Sequence, residues 1–420
     1  MGKLSFWAGL LVLLLFPLTA QPRLELRDFF LSEPLLYPLD TALARLVLTN
    51  AGDEPVRNLT ATLHWPEEAV ETDAPQRSRE ALGPGEKVTF TWPLRAKIAA
   101  AGEIQVTVTA AGLRPLFAEQ PLIISRPLPP VSRERAYLGA SLCREGEAIV
   151  LANERIRVVF APNPFGYGVI AVDGYRRQVH QWTRLAVMPW LLRVHYRTNL
   201  GDAVQQPVFV QFPIEKLEWP PRPLPQAQFT LGGEFTDVDG VRWKVSTTFH
   251  LETGGNTVQF THTLQAAAPR HLLRFEGPCL LAGDDRWGPP VQWVWSPAVG
   301  EVKAETAAQP DFLFSYPPEQ VRTPALALAT EHFSFGLVWQ PPRPISRRRP
   351  PLLARLESPR PDRHPHAYLL ALSVPAVPAG VGSADRAAWY ELPPERTRRI
   401  ESTLFISTTG DLTAAVEEQL

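Results

Sequence analysis

The stretch TDVDGVRWKVSTTFHLETGGNTVQFTHTL, residues 236–264, decides the fold. In it Val241, Trp243, Val245, Thr247, Phe249 and Leu251 alternate with Arg242, Lys244, Ser246, Thr248, His250 and Glu252. A period of two with one apolar and one polar side marks a strand with a single buried face. TGGN (253–256) breaks the run, and Val258, Phe260, His262 and Leu264 then share one face of a second strand. Upstream, Asp237 to Gly240 separates the alternation from a strand at 229–236, and Gly240 suits the positive φ of a tight turn. Three strands joined by short turns make an antiparallel meander with one buried side.

The acids at this turn invite other readings. Glu234, Asp237 and Asp239 lie within six positions. An EF-hand loop needs oxygen ligands at its positions 1, 3 and 5, Gly at 6 and Glu at 12. Counted from Asp237, Gly240 arrives too early, Val241 takes the fifth place and Thr248 the twelfth. The calcium motif fails and Asp237–Gly240 reads as a hairpin tip. His262 is the odd residue on an apolar face. Paired with an acid, a His can move a proton as a general acid or base; a hydrogen-bonded core histidine is the other reading.

The same alternation extends outward. TALARLVLTNAG (41–52), VRNLTATLHWP (56–66), LGPGEKVTFTWPLRA (82–96) and GEIQVTVTAAG (102–112) are strands parted by turn residues, which predicts an antiparallel sandwich over residues 21–125. SRPLPPVSRER (125–135) holds a Pro-rich linker, 126–135, stiff enough to keep two β regions apart. AIVLANERIRVVFAP (148–162) is two strands around Asn153-Glu154, and Asp173-Gly174 carries a hairpin signal. The 44 prolines, about twice the usual share, disfavour long helices. The chain ends in RRIESTLFISTTGDLTAAVEEQL (398–420), a strand, a cap-like Thr409-Gly410-Asp411, and a helical start over 409–420. Such a start belongs to a longer chain that has been cut, or is a short helix docked on the sandwich.

Residues 1–20 read as a signal peptide: Lys3, the apolar LSFWAGLLVLLL (4–15), then Pro17 and Ala20. The apolar run is short for a span of about 20 residues, so export to the periplasm or medium is expected, with no membrane partner after cleavage. A net charge of −1 gives no argument for nucleic acid. Cys143 and Cys279 either form the one disulfide that export permits or stay as buried thiols. No metal motif and no cofactor loop is present; neither Gly-x-Ser-x-Gly nor His-Glu-x-x-His occurs.

LTNAGDEPVRNLTATLHWP (48–66) followed by LGPGEKVTFTWPLRA (82–96) resembles the bacterial Ig-like domains of the cell-adhesion-related type, also found attached to α-galactosidases. LANERIRVVFAPNPFGYG (151–168), the 236–264 stretch, LLRFEGPCLLAGDDRWG (272–288), FSFGLVWQP (333–341) and LESPRPDRHPHAYLLALSVPAVP (356–378) follow in order. Together they are similar to the galactose-mutarotase-like supersandwich of large secreted bacterial proteins of glycoside-hydrolase type. The resemblance implies an all-β chain, an Ig-like β-sandwich followed by a larger antiparallel β-supersandwich over 136–408. It also implies that an (α/α) barrel beyond it carries the chemistry.

Paired carboxylates that hydrolyse a glycoside stand about 5–9.5 Å apart. Glu276, Asp284 and Asp285 lie in Gly- and Pro-rich chain beside Trp287, Trp293 and Trp295, whose rings suit stacking on a sugar. The alternative makes the tryptophans core and pairs Glu276 with an arginine such as Arg274. With His262 these residues are the candidate carbohydrate contacts. His364 and His366 lack a third metal ligand, and the Arg/Pro run 341–361 reads as a solvated loop. The expectation is an exported accessory region of a carbohydrate-active protein that binds a carbohydrate polymer or oligosaccharide. The alternatives are an adhesion protein without catalysis, or a mutarotase-like epimerase or lyase.

Overall fold

A computed structural model of the chain describes residues 21–163, 170–197, 208–210, 216–217, 226–237, 239–308, 315–340, 352–358, 366–374 and 390–420. The signal-peptide segment 1–20 and His364 lie outside them. Among the described residues the chain is nearly all β, in four antiparallel-paired sheets, as the alternation predicts. No helix among them is long and apolar enough to cross a membrane.

Strands Leu24–Leu31, Thr41–Asn50, Lys87–Ala96 and Val70–Thr72 make one four-stranded sheet. Gln76–Leu82, Val56–His64, Ala100–Thr109 and Leu116–Ile124 make another. Their inward residues, Leu46, Leu48 and Trp92 against Leu59, Leu63 and Val106, bury one core. Asn50 ties the turns together: its side-chain amide donates to the carbonyls of Glu54 and Leu82, and its Oδ1 accepts from Gly52. Side chains that satisfy turn backbone in this way are why Asn and Gly punctuate the strands.

The rest of the chain forms a 12-stranded and a 9-stranded sheet around a shared apolar core. The opening stretch lies in the smaller of these. Gln226–Thr236, Arg242–Glu252, Thr257–Ala266 and Arg398–Ser407 run side by side, with Phe229, Phe249 and Phe260 in register. Phe229 and Phe249 stack with centroids 4.8 Å apart, and Phe160 of the 12-stranded sheet meets Phe249 edge-on at 5.0 Å. Aromatic pairs in these geometries add roughly 0.5–1.5 kcal/mol beyond their buried area.

Three local expectations are corrected. Asp173-Gly174 is no hairpin; both lie inside the Ile170–Arg176 strand. Asp173 is buried between Arg157 and Arg184, and a Cβ on Gly174 would stand 2.6 Å from the Phe333 ring. A burial demand, not a turn, set that dipeptide. Linker 126–135 does not hold two bodies apart. It runs along the 12-stranded sheet, where the carbonyls of Arg133 and Arg135 accept from Trp182, and Leu35 and Ile123 share an apolar cluster with Val187, Cys279 and Leu281. Part of the Arg/Pro run is not loop: Leu353–Glu357 is a strand of the 12-stranded sheet with Leu353, Ala354 and Leu356 buried. Residues 341–351 lie outside the described set. Cys143 and Cys279 are both free thiols. The C-terminal helix, Leu412–Glu417, is capped by Asp411 and buries Leu412, Ala415 and Val416 on the outer face of the 9-stranded sheet.

Candidate functional site

The Arg270–Ala282 strand runs through the 12-stranded sheet and carries two faces. Leu272, Phe275, Leu280 and Ala282 enter the shared core; Cys279 and Leu281 enter the separate outer cluster. The register shifts between Glu276 and Cys279. At Gly277 an added Cβ would lie 2.5 Å from the Leu191 carbonyl oxygen, so only glycine admits the neighbouring chain. That approach places Arg193 directly opposite Glu276, while Ser373 faces Glu276 from the other side. Opposed residues of antiparallel strands project to one face.

Glu276 is fully buried on this outer face. Arg355 Nη1 donates to its Oε2 at 2.8 Å, and Arg193 Nε stands 3.8 Å from its Oε1. Burial pushes the carboxyl up, but Arg193, Arg355 and Arg274 outweigh it and hold the pKa at about 2. Glu276 is therefore an acceptor at any ordinary pH. General-acid work needs a raised pKa, as glycosidase acids have. Glu276 Oε1 has no hydrogen-bond partner among the described residues. Nor do Ser373 Oγ, Trp190 Nε1 and Trp287 Nε1, all buried; Trp190 and Trp287 share the outer cluster with Cys279. The Arg193 guanidinium lies 5.3 Å over the Trp190 ring.

The other expected contacts do not gather around Glu276. Asp284 and Asp285 form a turn with φ of 62° and 55°, a region that Asp tolerates. The same turn sends Arg286 to Glu33 at 3.3 Å and to Asp40, with its guanidinium 5.6 Å over the rings of both Tyr37 and Trp287. Trp287 is fully buried and its ring packs the outer cluster. Trp293 and Trp295 belong to the 9-stranded sheet and lean on the cluster under the C-terminal helix, across the core from Glu276. Closeness in sequence does not place them in one site.

His262 lies in the core of the 9-stranded sheet, fully buried, stacked on Phe260 and hydrogen-bonded through Nδ1 to Thr247 Oγ1 at 2.8 Å. Burial pulls its pKa down to about 3, so the imidazole is neutral. His262 and Glu276 stand on different sheets and form no acid–base pair. His366 is also committed, its Nδ1 donating to the Val291 carbonyl at 2.9 Å. The hairpin acids are structural: Asp237 Oδ2 accepts from Arg270 Nε at 2.7 Å and Trp243 Nε1 at 3.0 Å, while Glu234 sits outside beside Lys244.

Arg193, Arg355, Ser373 and Trp190 were not singled out from sequence. Ser373 in YLLALSV (368–374) and Arg355 in LARLE (353–357) carry the one signal, a polar residue in a largely apolar strand; Arg193 and Trp190 carry none. Over this face lies the N-terminal sandwich. Glu103 of the Ala100–Thr109 strand feels Arg193 and Arg274, and burial still pushes its carboxyl up to about 7.

No family model and no curated protein matches the chain. Among solved structures it is similar to a galactose mutarotase-like protein from Clostridium acetobutylicum, with TM-score 0.33, 11% identity, and coverage of 64% of this chain and 99% of that one. A putative aldose 1-epimerase from Klebsiella pneumoniae gives TM-score 0.33 and 9% identity over 67% of this chain and 91% of that one. A galactose mutarotase-like protein from Lactobacillus casei gives 0.38 and 12% over 62% of this chain and 100% of that one. At TM-scores this low the likeness carries no argument about site or activity.

Proposed function

We propose that the chain is an exported, non-catalytic carbohydrate-binding region of a carbohydrate-active protein. In this reading residues 1–20 direct export, 21–125 are an Ig-like spacer, and the supersandwich over 136–408 contacts the glycan at the outer face around Glu276. The observation that carries the reading is Glu276 Oε1: buried, ionised, 3.8 Å from Arg193 Nε and without a hydrogen-bond partner among the described residues. Leaving such a group unsatisfied costs roughly 1–3 kcal/mol, more for a charge. The unpartnered Ser373 Oγ and Trp190 Nε1 belong to the same face. A ligand rich in hydroxyls supplies the donor for the carboxylate and the acceptor for the indole together.

The low pKa argues against Glu276 as a general acid, because an acid near pH 7 is what proton transfer to a leaving group requires. Glycan-array binding by the purified mature chain tests the proposal. Binding to one class of oligosaccharide is the expected outcome, and a flat array contradicts it.

A further inference from the structure

Resting on that reading, we propose that the N-terminal sandwich is an autoinhibitory cap on the Glu276 face, with Glu103 held against Arg193 and Arg274 where the carboxylate of an acidic glycan binds. The sandwich meets the face at three places. Leu35 and Ile123 enter the apolar cluster that holds Cys279 and Leu281. Arg286 reaches Glu33 and Asp40 and covers the Tyr37 ring. The Ala100–Thr109 strand runs beside Val208–Val210, the partner of the Arg193–Arg197 strand, and brings Glu103 to Arg193 and Arg274; Glu119 also acts on Arg274.

The chemistry of the covered face names the ligand class. Arg193, Arg274 and Arg355 are offset there by Glu276 and Glu357, so the face is positive once the sandwich lifts. Arginine forks match planar carboxylates in two parallel hydrogen bonds. Glu103 is half-buried there, takes a hydrogen bond from Gln105 Nε2 and lies in the field of Arg193 and Arg274. A uronate carboxylate would compete with it for the same arginines. An apolar centre with charged contacts around it resembles the interfaces of domains that move relative to one another.

Cys279 is a built-in reporter, fully buried beneath Leu35 and Ile123's cluster. Its reaction with a thiol reagent, read peptide by peptide in the full mature chain, measures opening. Arg286→Glu cuts the latch, and adding Glu33→Arg restores the opposite charge. A galacturonic acid oligomer and a galactose oligomer of equal length are the binding probes. Arg286→Glu is expected to speed Cys279 labelling about tenfold and to tighten the acidic oligomer by a similar factor, with both effects reversed by Glu33→Arg. Glu103→Gln, which keeps the shape and leaves the latch intact, is expected to tighten the acidic oligomer alone. Unchanged Cys279 labelling in a natively folded Arg286→Glu chain overturns the cap. Faster labelling with equal, unimproved binding of both oligomers overturns the inhibition and leaves the carbohydrate reading standing. Faster labelling with no binding of either oligomer overturns both.

Discussion

Glu276 and Arg355 meet at 2.8 Å inside the molecule, 79 residues apart in sequence, on two strands that both flank Tyr368–Val374. Removing one partner of a buried pair strands the other charge at a cost of about 3–5 kcal/mol, whereas replacing both by apolar groups is often neutral. Glu276→Gln is therefore expected to destabilise the chain by about that amount in urea denaturation. The double change Glu276→Gln with Arg355→Met is expected to recover most of it. Equal loss in the single and double variants would place the effect outside the pair.

Acid stability follows from the same carboxylate. Its folded pKa of about 2 lies below the ordinary 4.5, so its contribution is complete above pH 4.5 and lost as the pH falls through 2. Between those values the wild-type chain is expected to lose stability more steeply than Glu276→Gln. Parallel slopes in urea midpoints across that range would contradict the assignment.

His262 works in a higher window. Its folded pKa, about 3, is below the unfolded 6.5, so protonation favours the unfolded chain as pH falls from 6.5 towards 3. The imidazole resonances are expected to stay flat from pH 8 to 5, and His262→Leu is expected to remove that part of the acid sensitivity. A titration midpoint near 6.5 in the folded chain would mean that the ring is not buried in this way.

The hairpin acids divide sharply. Asp237 accepts from Arg270, Trp243 and the backbone of Asp239 and Val241, whereas Asp239 is half exposed and 3.7 Å from Arg270. Asp237→Ala is expected to cost about 3 kcal/mol or more, and Asp239→Ala less than about 0.5. Calcium is expected to leave the melting temperature unchanged. A calcium-dependent rise lost in Asp237→Ala would restore the metal reading that the residue spacing excludes.

The fold was legible where a single strand carries its own instruction. Val241 to Leu251 alternate because one side of that strand is buried, and Asn50, Gly52 and Gly240 mark turns that need their side chains or their lack of one. The face around Glu276 was not legible, because its neighbours come from strands at 193–197, 353–357 and 368–374 and only sheet order brings them together. Trp287 and Trp293 look adjacent in sequence, yet the chain between them crosses from one sheet to the other. Nothing in the local pattern of Leu35 and Ile123 tells an inner face from one docked on a second sheet.

The central claim is that a glycan is held at the Glu276 face. One array of neutral and acidic oligosaccharides, probed side by side with the wild-type chain and Arg274→Ala, tests it most directly. Binding by the wild type to an acidic class, reduced about tenfold or more in a folded Arg274→Ala chain, is the expected result. A flat array for both, or binding that Arg274→Ala leaves untouched, would contradict it.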